Sequence, residues 1–215
     1  MSEHSRETAT PMSAMTNAWA RMTGSFIRSA TAANSAALSA FDGEVESADA
    51  GDGEVNRREP SIPSLDYEED DWTFERSVER SEEIAVGDSV RFSKTVDDGD
   101  VRDFARASGD TNRLHLDEAF AETTRFGGRI AHGTLVSGLI SAALARLPGL
   151  TIYLSQDLEF AAPVSVGDRV TATVEVTEDL GDDQFRLSTE VTDEDADRVV
   201  VEGEAVVLID DLPGE

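Results

Sequence analysis

Apolar and polar positions alternate with a period of two through much of the C-terminal half of the chain. In "RVTATVEVTE", Val170, Ala172, Val174 and Val176 interleave with Thr171, Thr173, Glu175 and Thr177. "QFRLSTEVTD" alternates likewise through Phe185, Leu187, Thr189 and Val191, and "RVVVEGEAVVLI" follows it. Such alternation predicts antiparallel strands with one wet and one buried face. "IAVGDSVRFSKTV", with a turn at Gly87-Asp88, and "LTIYLSQDLEF", followed by Pro163 and the turn Gly167-Asp168, predict two more strands. Between His132 and Leu147 the spacing changes to three and four. Leu135, Val136, Leu139, Ile140, Ala143, Leu144 and Leu147 form a wide apolar stripe that Pro148-Gly149 stops. Gly133, Gly138 and the alanines at 142, 143 and 145 let this helix pack closely against a sheet. "DDGDVRDFARASGD" sets aspartates ahead of Val101, Phe104 and Ala105, an N-cap followed by helical spacing. "DEAFAETTRFGG" predicts a short helix ended by glycines.

One long apolar helix and five or six strands can share a core if the sheet wraps around the helix. The expected fold is therefore α+β, a hot-dog architecture, over residues 72–211. Two other parts precede it. In residues 1–41, Met12, Met15, Trp19, Met22, Phe26, Ala30, Ala33, Ala37 and Phe41 recur at helical spacing, predicting an amphipathic helix. Residues 42–71 hold acids, glycines and prolines without a sustained period, the pattern of a flexible acidic linker. No run reaches the length of a bilayer span, and arginines break up the N-terminal apolar positions where a secretory signal would be continuous. The expected location is cytoplasmic.

Charge sharpens this division. The chain has 18 Lys and Arg against 45 Asp and Glu, a net charge of -27, and Lys94 is its one lysine. Residues 1–41 carry two acids and three arginines, so the excess of acid lies entirely beyond them. An acidic surface almost without lysine suits very high salt, where repulsion is screened, and predicts a halophilic protein. It also repels phosphate backbones and argues against nucleic acid as a partner. There is no cysteine, which excludes disulfides, thiolate nucleophiles and thiolate metal sites.

The candidate chemistry lies in "SGDTNRLHLD", where Asp110 and His115 follow a glycine that lets the backbone turn sharply. The chain has three histidines in all, His4, His115 and His132. An acid and an imidazole beside a turn are, alone, more often a cap and a surface histidine. His115 with Asp117 makes a poor metal pair for want of a third ligand, and no metal is expected. Asp117 fits better as the N-cap of the helix "EAFAETT".

The wider context changes the balance. "FARASGDTNRLHLDEAFAETTRFGGRIAHGTLVSGLISAAL", continued by "IYLSQDLEFAAPVSVGDRVTATVEVT" and "GEAVVLI", resembles the MaoC-like hydratases, specifically the R-specific enoyl-CoA hydratases. The resemblance spans roughly residues 84–209 with one visible departure, Arg113 where the family usually has proline. Loss of that ring is expected to loosen the loop. The resemblance implies that Asp110 and His115 share a water added across the double bond of an enoyl thioester; which of them takes its proton stays open. It implies further that the Gly133 amide, at the positive start of the long helix, stabilises the thioester oxygen. Asn112 would brace the loop or the dyad, Ser141 would hold Asp110 or the water, and His132 would orient the helix start or pack beside the site. Leu144 and Val206 would line the acyl pocket.

The implied reaction is R-specific hydration of trans-2-enoyl-CoA to (R)-3-hydroxyacyl-CoA, supplying polyhydroxyalkanoate synthesis or fatty-acid metabolism. It needs no cofactor beyond the coenzyme A of the substrate. Among Arg106, Arg113, Arg125 and Arg129, some are expected to meet the phosphates of coenzyme A. Small hot-dog domains bury their cores by pairing, so a homodimer is expected. The N-terminal helix is expected to bind a polymer granule or a partner protein, or else to fold back on its own domain or belong to a dimer seam. Two alternatives remain: an acyl-CoA thioesterase of the same fold and a non-catalytic acyl-binding granule protein.

Overall fold

The computed structural model describes residues 57–212. The helix expected over residues 1–41, and residues 42–56 of the expected linker, lie outside the described residues. The rest of that linker is structured, so folding starts well before residue 72. Arg57–Arg58 (β1) and Glu68–Glu69 (β2) pair as a small antiparallel ribbon. Between them Ile62 is buried, and the buried Glu68 carboxylate accepts from the Ser61 hydroxyl and pairs with Arg58 at 3.2 Å. Two-residue strands are too short to leave a period in the sequence, which is why this ribbon looks like a tether there.

The main sheet has six strands in the order β3-β4-β6-β7-β8-β5, every neighbouring pair antiparallel. They are β3 (Thr73–Arg76), β4 (Ser89–Thr95), β5 (Leu150–Phe160), β6 (Arg169–Gly181), β7 (Gln184–Asp193) and β8 (Arg198–Asp210). Four helices stand between β4 and β5: α1 (Asp98–Ser108), α2 (Arg113–Leu116), α3 (Glu118–Ala121) and α4 (Gly133–Leu144). Alternation along the strands puts Val170, Ala172, Val174, Val176, Leu187, Val191, Ala205 and Val207 into one core. α4 presses Val136, Leu139, Ile140, Ala143 and Leu144 onto them. Each such valine, leucine or isoleucine side chain, fully buried, stabilises the fold by about 2 kcal/mol. This is the hot-dog architecture.

α4 ends at Leu144, short of the expected Leu147. The next amides, of Arg146 and Leu147, bond three residues back to Ala143 and Leu144, tightening the last turn. Gly149 follows at a φ of +89°, which glycine adopts without strain. Arg146 is buried here, its guanidinium 4.1 Å from the centre of the Phe92 ring and its Nη1 donating to the Ala142 carbonyl at 2.8 Å.

Candidate active site

The site begins where α1 ends. α1 is set by a reciprocal cap: the Asp97 carboxylate accepts from the Asp100 amide at 2.9 Å, and the Asp100 carboxylate accepts from the Asp97 amide at 2.9 Å. It stops at Gly109, whose φ of +78° reverses the chain. Asp110 follows, exposed, its carboxylate accepting from the Asn112 amide at 3.2 Å. Asn112 in turn caps α2, its Oδ1 accepting from the Leu114 amide at 3.0 Å. His115 therefore stands on a one-turn helix, not on an open loop.

Arg113 is the first residue of α2, the helix position that best tolerates proline. The turn is not left loose without that ring. The Arg113 guanidinium donates from Nη2 and Nε to Asp117 Oδ2 at 2.7 and 3.1 Å and lies over the Phe120 ring at 4.5 Å. Those hydrogen bonds hold the Asp117 carboxyl below its ordinary pKa. Asp117 also caps α3, accepting from the Phe120 amide at 3.0 Å.

Three polar side chains converge. One donor atom from each of Asp110, His115 and His132 lies within 4.8 Å of the other two. His115 is buried, with Nδ1 2.8 Å from the Ile130 carbonyl oxygen. A carbonyl only accepts, so Nδ1 carries the hydrogen and Nε2 keeps a lone pair able to take a proton. His132, 2% exposed, uses Nε2 to donate to the Asp110 carbonyl at 3.0 Å. Its ring packs 3.9 Å from that of His115 and 4.9 Å from that of Phe104. It thus ties the Asp110 turn to the start of α4. The three donors are close enough to hold a divalent cation, although one nitrogen of each imidazole is already committed to a carbonyl.

A cavity of about 320 Å³ opens beside this group, walled by His115, Gly133, Arg125, Phe126, Val136 and Phe160, among others. Gly133 opens α4, where amides have no partner in the helical ladder and the helix end is electropositive. A Cβ on it would come within 3.1 Å of the Phe160 ring, so glycine keeps the backbone open to the cavity. A larger cavity of about 620 Å³, walled by Ile62, Arg76, Pro148 and Leu212 among others, contains none of these groups. Chemistry, not size, picks out the smaller one.

The other expected residues divide. Asn112 acts as a helix cap rather than on the dyad. Ser141 is exposed two turns along α4, about 12 Å from Gly133 along the helix axis, and makes no hydrogen bond to Asp110. Leu144 is buried in the core and does not line the cavity. Val206 lies between the buried Ala205 and Val207, so strand alternation turns it to the sheet face away from α4. Val201 of the same strand lines the cavity instead. Phe160 and Phe126 are wall residues with no sequence signal of their own. For Phe160 the reason is physical: β5 shifts register between Tyr153 and Ser155, and an irregularity there obscures which face later residues take. Of the four arginines, three are engaged by carboxylates: Arg106 by Asp103, Arg113 by Asp117, and Arg129 by Asp98 and Glu118. The Arg129 bonds raise its pKa above the ordinary value, and it also reaches the His115 carbonyl at 3.5 Å.

Comparison with known proteins fits this geometry. Residues 81–199 match the model of the MaoC like domain. The (R)-specific enoyl-CoA hydratase of Rhodospirillum rubrum is 47% identical over 130 residues, covering 60% of this chain and 90% of that protein. The 3-hydroxybutyryl-CoA dehydratase of Methylorubrum extorquens is 45% identical over 130 residues, covering 60% and 82%. Among solved structures, the (R)-hydratase from Aeromonas caviae involved in PHA biosynthesis superposes with a TM-score of 0.57 at 42% identity, over 59% of this chain and 98% of that one. With this sheet, this helix and this extent of match, the chain belongs to the MaoC-like domain family.

Proposed function

We propose that this protein is a hydro-lyase that adds water to trans-2-enoyl-CoA, giving (R)-3-hydroxyacyl-CoA. The observation that carries the reading is the meeting of Asp110 with His115, whose ring lines a cavity that the start of α4 also lines. Relatives 45–47% identical are named for this hydration or its reverse. In the proposed reaction the thioester oxygen lies against the Gly133 amide, which draws electrons from the double bond. Asp110 accepts one hydrogen bond from the water and orients it. His115 Nε2 takes the other proton as the oxygen bonds to C3. The same proton then passes to C2, so that H and OH have been added and both side chains return to their starting state. His132 steadies the Asp110 backbone and the His115 ring throughout.

The reaction calls for no redox or metal cofactor. Crotonyl-CoA in molar salt is expected to lose its enoyl absorbance without releasing free thiol, and to do so undiminished after dialysis against a chelator. Thiol release would point to a thioesterase, an unchanged spectrum to a binding protein, and loss of activity with chelation to a metal at the three donors. β5 is an edge strand carrying the exposed Leu150, Tyr153 and Phe160, which supports pairing with a second copy there.

Supply of (R)-3-hydroxyacyl-CoA to polyhydroxyalkanoate synthesis, in the cytoplasm and at granules, is the physiological setting we infer. No helix among the described residues is long and apolar enough to cross a membrane. Attachment to a granule or a partner would fall to residues 1–41. Cells expressing the chain without them are expected to lose this protein from the granule fraction, and an unchanged distribution would end that part of the proposal.

A further inference from the structure

The cavity wall has a charge character opposite to that of the chain. The protein carries a net charge of -27. Yet no Asp or Glu is among the residues that line the His115 cavity, and the one guanidinium there is that of Arg125. Arg125 lies between α3 and α4, exposed, its guanidinium 4.9 Å from the centre of the Phe126 ring. Its neighbours Arg113 and Arg129 are spent on carboxylates. Arg125 forms no ion pair among the described residues. Asp110, the carboxylate that meets His115, lies beside this lining and not in it. A cation with no ion pair among the described residues, in so acidic a chain, fits an anionic ligand that enters this cavity.

We propose that Arg125 is a specificity-determining residue that binds a phosphate of the thioester carrier. A guanidinium suits this role because its fork of donors matches phosphate oxygens. The proposal rests on the thioester reading above and adds a contact to it. Two sources share the chemistry: the phosphate on the pantetheine arm, common to coenzyme A and to acyl carrier proteins, and the nucleotide phosphates, which coenzyme A alone has.

Three crotonyl thioesters separate the possibilities when the full chain and its Arg125→Gln variant are compared: those of coenzyme A, phosphopantetheine and pantetheine. In the wild type, kcat/KM for the phosphorylated carriers is expected to exceed that for pantetheine. In Arg125→Gln that preference falls about 5- to 10-fold, through KM rather than kcat, and Arg125→Lys restores part of it. The difference shrinks in molar salt, as an exposed charge contact should. Loss of preference for both phosphorylated carriers supports the proposal and places the contact at the arm. Loss for coenzyme A alone supports it and places the contact at the nucleotide. An unchanged preference, or an equal fall for all three thioesters, overturns it while leaving the hydratase reading intact. A wild type that turns over none of them overturns that reading itself.

Discussion

Replacing Asp110 with Asn, or His115 with Gln, lowers hydration of crotonyl-CoA by about 10³-fold or more. Asn has the size of Asp and keeps an oxygen to accept from the Asn112 amide. Asp110 is also exposed, so its replacement leaves the thermal midpoint near that of the wild type. What disappears is the charge that, in the proposed reaction, orients the water. His115→Gln removes the group that takes the proton in the proposed reaction, since glutamine has no nitrogen lone pair to offer. Because His115 is buried and bonded to the Ile130 carbonyl, this variant is also destabilised, by about 1–2 kcal/mol. Circular dichroism and thermal melts separate that cost from the catalytic one. The double variant loses little more than either single one, because the two groups act on one water and their effects do not add. A folded Asp110→Asn protein with near wild-type kcat would remove the carboxylate from the mechanism.

The ease with which this site can be read from the sequence varies with how local its causes are. Strand alternation in β6 and β7, and the apolar stripe of α4, are dictated by a buried face of fixed period, so they appear directly in the residue order. Gly109 and Asp117 are equally legible, because a left-handed turn and an N-cap each need particular residue types. Asp110 and His115 are legible in combination: an acid and a scarce histidine after a turn glycine, within a pattern that resembles a family. Other features depend on which distant segments meet. Nothing near His132 says that its ring will stack on His115, and nothing near Ile130 says that its carbonyl will fix the His115 tautomer. Val206 sits on the other face from its buried neighbours Ala205 and Val207, because adjacent strand residues face opposite ways, and its residue type does not reveal that face. The commitment of Arg129 is tertiary too, reaching back 31 residues to Asp98, whereas Arg106 and Arg113 pair locally with Asp103 and Asp117 at helical spacing.

Gly203→Ala destabilises the domain by about 3–5 kcal/mol, lowering the thermal midpoint by roughly 10 °C. Gly203 sits in β8 opposite Leu158 of β5, and an added Cβ would stand 1.9 Å from the Asp157 carbonyl oxygen. The obstructing atoms, of Asp157 and Leu158, are backbone, so no rotamer change can relieve the overlap and the strands must separate. β5 is held within the sheet by β8 alone, so it yields before the rest of the sheet does. Phe160, at the end of β5, then leaves the wall beside Gly133, and hydration falls along with stability. Gly138→Ala is the matched comparison. It lies in α4 with nothing within 4 Å of the added Cβ, and alanine favours a helix over glycine by about 1 kcal/mol. It should leave the midpoint unchanged or slightly raised. Hydrogen exchange followed by mass spectrometry locates the effect: β5 amides exchange faster in Gly203→Ala, while those of β6 and β7 change less. Uniform acceleration across the sheet would mean that β5 unfolds only with the whole domain, and a midpoint equal to the wild type would mean that the strands can part at no cost.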